Sequence, residues 1–560
     1  MNKLFCPAIG ITSMDLLIYH GSEGNTYSRF PMKKEKEGFF ISPNPLKPGD
    51  YYTFLLDDRY EITDPQCTET DVYGIRSRYA QESEPRKRIF EPSDDLVIYE
   101  VHVKDFSIDP EGGFQYPGTF AAFSENLDNI GRSHIKDLGI TMVHLLPPTD
   151  FVTMTGDPLA YLEEDNYNWG YDPEHFRVLH PGYGTSPENP KKTKCECKKM
   201  IDSLHKDGIG VIFDIVFNHT YRTKDSNLYL LSQGNYYRKT KKGEIANGSG
   251  VGNELATEHP HIQKLLLDTL EYWVREFQVD GFRFDLMALL DREFLIEAKK
   301  RLEKINPNIF LYGEPWSALP DSMPEHLRWS PKEDLGFYIY DDVFRDAVRG
   351  NNFGFGGFLG GDFQEGDKIL QALLYPSKKH LYYLNCHDDY ILWDQLKKFG
   401  LGNDELLSRK YKLGMSLLAL ARGPILMAGG NEWQKGKGGL KNTYQGPASV
   451  NALHWSEKWH HYGTYQYIKD LLKFRKEKLL RGKEVEGKVL ENKDGFLLYG
   501  LYGEKTMYVA INGRNEDIIF QPEKYGIKDV YRVFSEEGES KVPCFSEEKI
   551  ENNSILIFET

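Results

Sequence analysis

A chain of 560 residues exceeds the length over which one hydrophobic core keeps growing, so it is expected to divide into about two to four units. Lys and Arg number 69 against 84 Asp and Glu; the net charge of -15 excludes nucleic acid and anionic membrane as main partners. Hydrophobic (40%) and charged (27%) contents are those of an ordinary globular chain, and no apolar run is long enough to span a bilayer.

Aromatic residues are abundant, with 35 Tyr, 32 Phe and 8 Trp. Most must serve cores, and the surplus of Tyr and Trp also suits sugars, whose C–H faces pack on rings. The cysteines (Cys6, Cys67, Cys195, Cys197, Cys386 and Cys544) are scattered. None has zinc-ligand spacing, and Cys195 and Cys197 do not face each other on the helix expected there. Reduced thiols in a reducing, cytoplasmic compartment are expected. The apolar run 4–11 is broken by Pro7 and followed by Asp15, a poor signal peptide.

Residues 1–92 carry strand patterns at 14–19, 38–41 and 51–56, separated by Pro- and Gly-containing turns. They predict a small β-sandwich, either a sugar-binding module or a brace. From Asp95 the pattern changes to short apolar strands alternating with helices. Strands are expected at 96–101, 141–146, 210–216, 279–287, 309–314, 336–340, 381–384 and 424–427. Between them, Cys197, Met200, Ile201 and Leu204 share one helical face, with Gly208 suited to the helix end. Ile262, Leu266, Leu270, Trp273 and Phe277 form a second stripe. Eight strands with intervening helices over 93–480 predict an α/β catalytic unit, a (β/α)₈ TIM barrel. A doubly wound open sheet is the competitor, but no Gly-rich phosphate loop follows a strand. A helix bearing Ile468, Leu471 and Leu472 closes the barrel, and residues 481–560 return to strands at 496–499, 507–511 and 554–558, a C-terminal antiparallel β-domain.

The stretch 279–287 organises the rest. Strand side chains alternate, so Arg283 and Asp285 point one way and Phe282 and Phe284 the other. If the phenylalanines face helices, the arginine and the carboxylate face the barrel interior. The guanidinium is then expected to lower the pKa of Asp285, as a carboxylate nucleophile requires. Acids recur at strand C-terminal ends, where barrel active sites lie: Asp214 with His219, Asp285, Glu314, and His387 with Asp388 and Asp389. Any one alone reads as a solvated strand end; together they do not. Asp285 and Glu314 sit one βα repeat apart, on neighbouring strands. Two such carboxylates suit retaining glycoside hydrolysis, with carboxyls about 5–5.5 Å apart. Glu314, with no cation beside it in sequence, is the better general acid. Asp388 is placed to accept hydrogen bonds from ring hydroxyls.

These motifs resemble glycoside hydrolase family 13, the α-amylase superfamily, at 214–219, 281–285, 313–314 and 387–388. Within it the chain is similar to type I pullulanases: Tyr167-Asn168-Trp169-Gly170-Tyr171-Asp172-Pro173 matches the heptapeptide characteristic of that group. The stretches 97–107, 247–250, 285–287, 387–394 and 438–455 also match, and the likeness covers about residues 90–460. Residues 1–92 resemble a family 48 carbohydrate-binding module. The resemblance implies Asp285 as nucleophile, Glu314 as acid/base and Asp388 as transition-state stabiliser. It implies that Asp214, His219, Arg283 and His387 line the pocket and that Tyr171 stacks on the bound glucose. Trp316 would pack on the leaving-chain side, while Tyr167, Asn168 and Trp169 shape the pocket for an α-1,6 branch. An α-glucan substrate and no required cofactor follow, with a structural calcium ion compatible.

The chain departs from the usual pattern at Cys386, Asp389, Ala288 and Ala448. The expected activity is debranching of α-1,6 bonds in pullulan, starch or glycogen fragments. The rivals are an α-1,4-acting amylase, neopullulanase or glucan transferase, a non-catalytic glucan-binding protein, and a metal-dependent hydrolase, for which no ligand spacing appears.

Overall fold

Eight short apolar segments become parallel strands: β1 (Val97–Val101), β2 (Met142–Leu145), β3 (Gly210–Ile215), β4 (Gly281–Phe284), β5 (Phe310–Gly313), β6 (Tyr338–Tyr340), β7 (His380–Tyr383) and β8 (Ile425–Ala428). They hydrogen-bond in the order β2-β3-β4-β5-β6-β7-β8-β1, a closed barrel with no free edge. This computed structural model describes residues 5–42, 44–80, 90–93, 95–152, 157–351, 356–479 and 485–560. The strand read over 279–287 shortens to Gly281–Phe284 because the backbone turns at once: Leu286 adopts a left-handed φ of 41° and leads into a turn of 3₁₀ helix.

Alternation sorts the strand side chains into two cores. Ile98, Met142, Ile212, Tyr312, Leu381 and Leu426 pack together inside the barrel. Phe282 and Phe284 face outward and join the larger core formed with the helices. Arg283, between them, is therefore committed to the interior. The helix Pro190–Lys206 is capped by the Asn189 side chain, which accepts the Lys192 N–H at 3.2 Å, and Pro190 opens its first turn. It buries Cys197, Met200, Ile201 and Leu204, and the chain leaves through Gly208 at φ 77°. The helix Pro260–Tyr272 continues as a wider π turn, Trp273–Phe277, which brings Trp273 and Phe277 into its apolar stripe.

Before the barrel, one antiparallel sheet runs Tyr27–Pro31, Met14–Tyr19, Tyr51–Leu56, Tyr60–Ile62, with Ser77–Arg78 also paired to Tyr51–Leu56. A second joins Phe5–Pro7, Phe39–Ile41 and Lys33–Lys34. After the barrel, six antiparallel strands from Glu486–Lys493 to Ser554–Glu559 form the C-terminal sheet, beside a smaller pair, Ile518–Phe520 and Glu548–Ile550. The boundary read at 480/481 lies outside the described residues. Sequence patterning did not anticipate the hairpin of Thr149–Phe151 with Pro173–Leu179, inserted between β2 and β3. Among the described residues no helix is long and apolar enough to cross a membrane.

The barrel seam is held by Arg475, on the helix Tyr462–Lys478 and 1% exposed. Its Nε reaches Asp95, just ahead of β1, at 3.1 Å. Its Nη atoms donate to the carbonyls of Ala419 and Ala421 (both 2.6 Å) and Gly423 (2.5 Å), just ahead of β8. One guanidinium thus satisfies the orphan carbonyls of a helix end and ties the first strand to the last. Arg475→Met should cost about 3 kcal/mol by stranding a buried carboxylate and three carbonyls, and lower the apparent midpoint of thermal unfolding by calorimetry.

Candidate active site

The register of β3, β4 and β5 builds the site. Asp214 pairs with Arg283, and Arg283 with Tyr312. Asp285 and Glu314 follow directly on β4 and β5. Gly313 has to be glycine: a Cβ there would lie 2.7 Å from the Phe284 carbonyl oxygen and 2.9 Å from the Met287 sulfur. That close approach lets the Glu314 N–H reach the Phe284 carbonyl at 3.2 Å.

Arg283 is the hub. Its Nη1 lies 3.0 and 3.1 Å from the two Asp214 carboxylate oxygens and 2.9 Å from Asp285 Oδ1, while Nη2 lies 2.5 Å from Glu314 Oε1. Glu314 has no cation beside it in sequence, but one reaches it in space: Arg283 is two residues from Asp285 and touches both acids. Asp285 Oδ2 also accepts the Asn218 side-chain N–H at 2.7 Å, and Glu314 Oε2 accepts the Leu286 backbone N–H at 2.9 Å. The left-handed Leu286, costly for a residue with a branched side chain, is what aims that N–H at the acid.

Burial and neighbouring charge set the protonation order. The Asp214 carboxyl is pushed up by burial, but Arg283, His144 and Tyr171 outweigh this and bring it to about 2. Asp285 was expected below the usual carboxylate range; burial and the Asp214 charge instead raise it, against Arg283, His219 and Asn218. Glu314 is raised further, to about 8, by burial and by the charges of Asp285 and Asp388, with Arg283 opposing. Glu314 therefore keeps its proton at neutral pH. It thus feels the charge of both aspartates, Asp285 at the end of β4 and Asp388 beyond β7.

The floor and walls come from groups the sequence offered singly. Tyr171 donates its hydroxyl to Asp214 Oδ2 at 2.7 Å and stacks on His387, ring centres 5.0 Å apart and planes within 18°. Trp169 meets the same imidazole edge-on at 5.0 Å and carries the Lys437 ammonium over its own ring at 5.2 Å. His219 Nε2 is 3.0 Å from the Tyr171 carbonyl, and burial lowers its pKa. Trp316 is half-buried, its ring 6.2 Å from Tyr340. Tyr167 and Asn168 lie deeper: Tyr167 is fully buried with its hydroxyl on Asp105 at 2.7 Å, and Asn168 bonds Val152, Gly170 and Asp172 within its own loop. Both hold the loop that presents Trp169 and Tyr171. Ala448 packs in the same cluster as Leu146, Tyr167 and Trp169.

Sequence reading passed over Glu100, His144 and Asn218. Glu100 on β1 lies 3.0 Å from His387 Nδ1, and His144 on β2 lies 3.2 Å from Asp214 Oδ2. The available signal was a charged or polar residue inside an otherwise apolar strand. Burial lowers the His387 pKa, but the Asp388 and Glu100 charges overcome it and lift it to about 9, so the ring is cationic. Its Nε2 stands 3.5 Å from Asp388 Oδ2. Glu100→Gln should therefore move the His387 imidazole pKa from about 9 towards the ordinary value, read by NMR titration.

Residues 108–243 match the family model described as alpha amylase, catalytic domain. The chain is 34% identical to a pullulanase of Bacillus subtilis (strain 168) over 509 residues, covering 85% of this chain and 69% of that one. The crystal structure of pullulanase type I from Bacillus subtilis str. 168 complexed with maltose superposes with a TM-score of 0.91 at 26% identity, covering 100% of this chain and 83% of that one. A pullulanase from Anoxybacillus sp. LM18-11 complexed with maltotetraose gives 0.90 at 26% identity, covering 100% and 86%.

Proposed function

We infer a mechanism from one premise: the chain belongs to the type I pullulanases of glycoside hydrolase family 13. It is a debranching hydrolase of α-1,6-glucosidic bonds in pullulan and in fragments of starch or glycogen. The Arg283 guanidinium, which holds Asp285 from Nη1 at 2.9 Å and Glu314 from Nη2 at 2.5 Å, is the observation that carries the residue assignment.

In the reading we propose, Glu314 gives its proton to O6 of the leaving chain while Asp285 attacks the anomeric carbon. The glycosyl–Asp285 ester forms as the C1–O6 bond breaks. Glu314, now ionised, then takes a proton from water, which attacks C1 and frees Asp285, so the anomeric configuration is retained. Asp388, held beside cationic His387, accepts hydrogen bonds from ring hydroxyls as positive charge develops at C1. Arg283 fixes both reacting carboxyls, and Tyr171 with His387 forms the wall on which the glucose ring rests. Trp316 sits on the side of the leaving chain. Every role is filled by a side chain, so no cofactor is assigned; a structural calcium ion is tested separately by stability in chelator.

Asp285→Asn should lower turnover of pullulan by ~10⁴-fold or more while circular dichroism shows the fold retained. Substantial residual turnover would remove Asp285 from its role. The products discriminate the bond: maltotriose marks α-1,6 cleavage, whereas panose marks α-1,4.

Glu314 must be protonated for the first step. Activity should thus be full below its pKa and fall as pH rises through about 8. At low pH it should fall again as Asp285 takes up a proton. The kcat/KM profile on pullulan shows both limbs, and Glu314→Gln should abolish the alkaline one in whatever activity is left.

A further inference from the structure

Three chemically different donors converge at the root of the His387 ring. Glu100 comes from β1, and Cys386 with His387 from the segment after β7; β8 lies between those strands. Barrel closure nevertheless brings a Glu100 carboxylate oxygen, the Cys386 sulfur and a His387 ring nitrogen within 4.8 Å of one another. All three residues line a cavity of about 40 Å³, room for an ion and a water. Glu100 and His387 are buried, while Cys386 is partly exposed and leaves a path of entry.

The surroundings suit a metal ion of intermediate softness. His387 turns Nδ1 to Glu100 at 3.0 Å and Nε2 to Asp388 at 3.5 Å. Ligation through Nδ1 therefore leaves a carboxylate on the other ring nitrogen, the arrangement that orients an imidazole on zinc. The Asp388 backbone N–H points at the Cys386 sulfur and favours its thiolate, although burial keeps the free thiol protonated. Two ammonium groups line the same cavity, and both are engaged. Lys435 Nζ donates to the Asn451 carbonyl, and Lys437 Nζ to the His387 carbonyl at 3.3 Å and Thr443 Oγ1 at 3.2 Å. A divalent ion displaces the thiol proton and the imidazolium proton, so the pocket's charge is unchanged on binding and the two lysines add no penalty.

We propose that Glu100, Cys386 and His387 form an inhibitory site for Zn²⁺, with water as the fourth ligand of the tetrahedron. A sulfur, an imidazole nitrogen and one carboxylate oxygen select zinc over calcium or magnesium, which take oxygen ligands. The occupied site holds the imidazole that pairs with Asp388 and stacks on Tyr171, and so takes from the pocket the group that positions the proposed stabiliser. Zinc binding rests on the donor geometry alone; the inhibition rests on the debranching reading above. No spacing motif signals the site, because Glu100 sits on the first barrel strand and the other two donors follow the seventh.

Cobalt(II), titrated into the chelator-treated enzyme as a spectroscopic stand-in for zinc, should give a thiolate-to-metal charge-transfer band. Cys386→Ser should abolish the band and weaken zinc, measured by competition, by ~100-fold or more, since losing an outer partner alone costs ~10–100-fold. Glu100→Gln should weaken zinc as well but keep the band, because the sulfur remains. Zinc should inhibit pullulan hydrolysis and chelator restore it, whereas calcium and magnesium should not inhibit. Cys386→Ser should escape the inhibition when compared with its own zinc-free rate. No band in the unaltered enzyme, a band that survives Cys386→Ser, or equal zinc inhibition of both proteins would overturn the site. Release of maltotriose from pullulan by the zinc-free enzyme tests the debranching reading independently, so the two failures are distinguishable.

Discussion

The active site depends on one buried cation. Arg283 is 1% exposed and is held by Asp214, Asp285 and Glu314. A guanidinium removed from water is costly unless its donors meet charged acceptors with good geometry. Three carboxylates supply them, and they in turn would repel one another without it. The barrel makes this possible because parallel register puts Asp214 beside Arg283, while the next turn of each chain brings up Asp285 and Glu314. The cation offsets burial unequally: Asp214 ends well below the ordinary range and Glu314 well above it. Glu314 thereby keeps its proton at neutral pH, the condition for a general acid.

Around this hub lies a second charged pair of opposite design. Glu100 and Asp388 flank the His387 ring and keep it cationic despite burial, while Tyr171 stacks on its face and Trp169 on its edge. This cluster is thus positive at its core and aromatic at its surface. Its backbone is also stressed at the points that matter: Leu286 after the proposed nucleophile and Asp389 after the proposed stabiliser both hold positive φ, at 41° and 57°. Such conformations survive only where surrounding contacts fix them. Leu286 is fixed by its hydrogen bond to Glu314, and Asp389 by the Asn442 side chain, which accepts its N–H at 2.9 Å.

The flanking units brace the barrel at different places. Arg475 closes the seam between β1 and β8. Arg409 reaches from the helix Asp404–Leu420 into the C-terminal domain, 2.7 Å from Glu536 and 2.6 Å from Glu551. The N-terminal sheet meets the barrel beside the loop that carries Trp169 and Tyr171.

The sequence by itself determined the barrel, because alternation on short strands and periodicity on helices are local properties that burial enforces. Phe282 and Phe284 flanking Arg283 declared which face was inside. The acids at strand ends were legible for the same reason: each marks where an apolar segment stops. The tertiary structure alone decided what those acids are electrically. Asp285 looked favoured by its neighbour Arg283, yet burial and Asp214, distant in the chain, push its pKa the other way. Glu314 looked free of cations, yet Arg283 touches it across β4 and β5. Tyr167 looked like pocket lining but is fully buried against Asp105, and Glu100 went unnoticed until β1 closed the ring beside β2 and β8. Desolvation and charge act through space between strands that no local pattern connects, and barrel closure sets those distances.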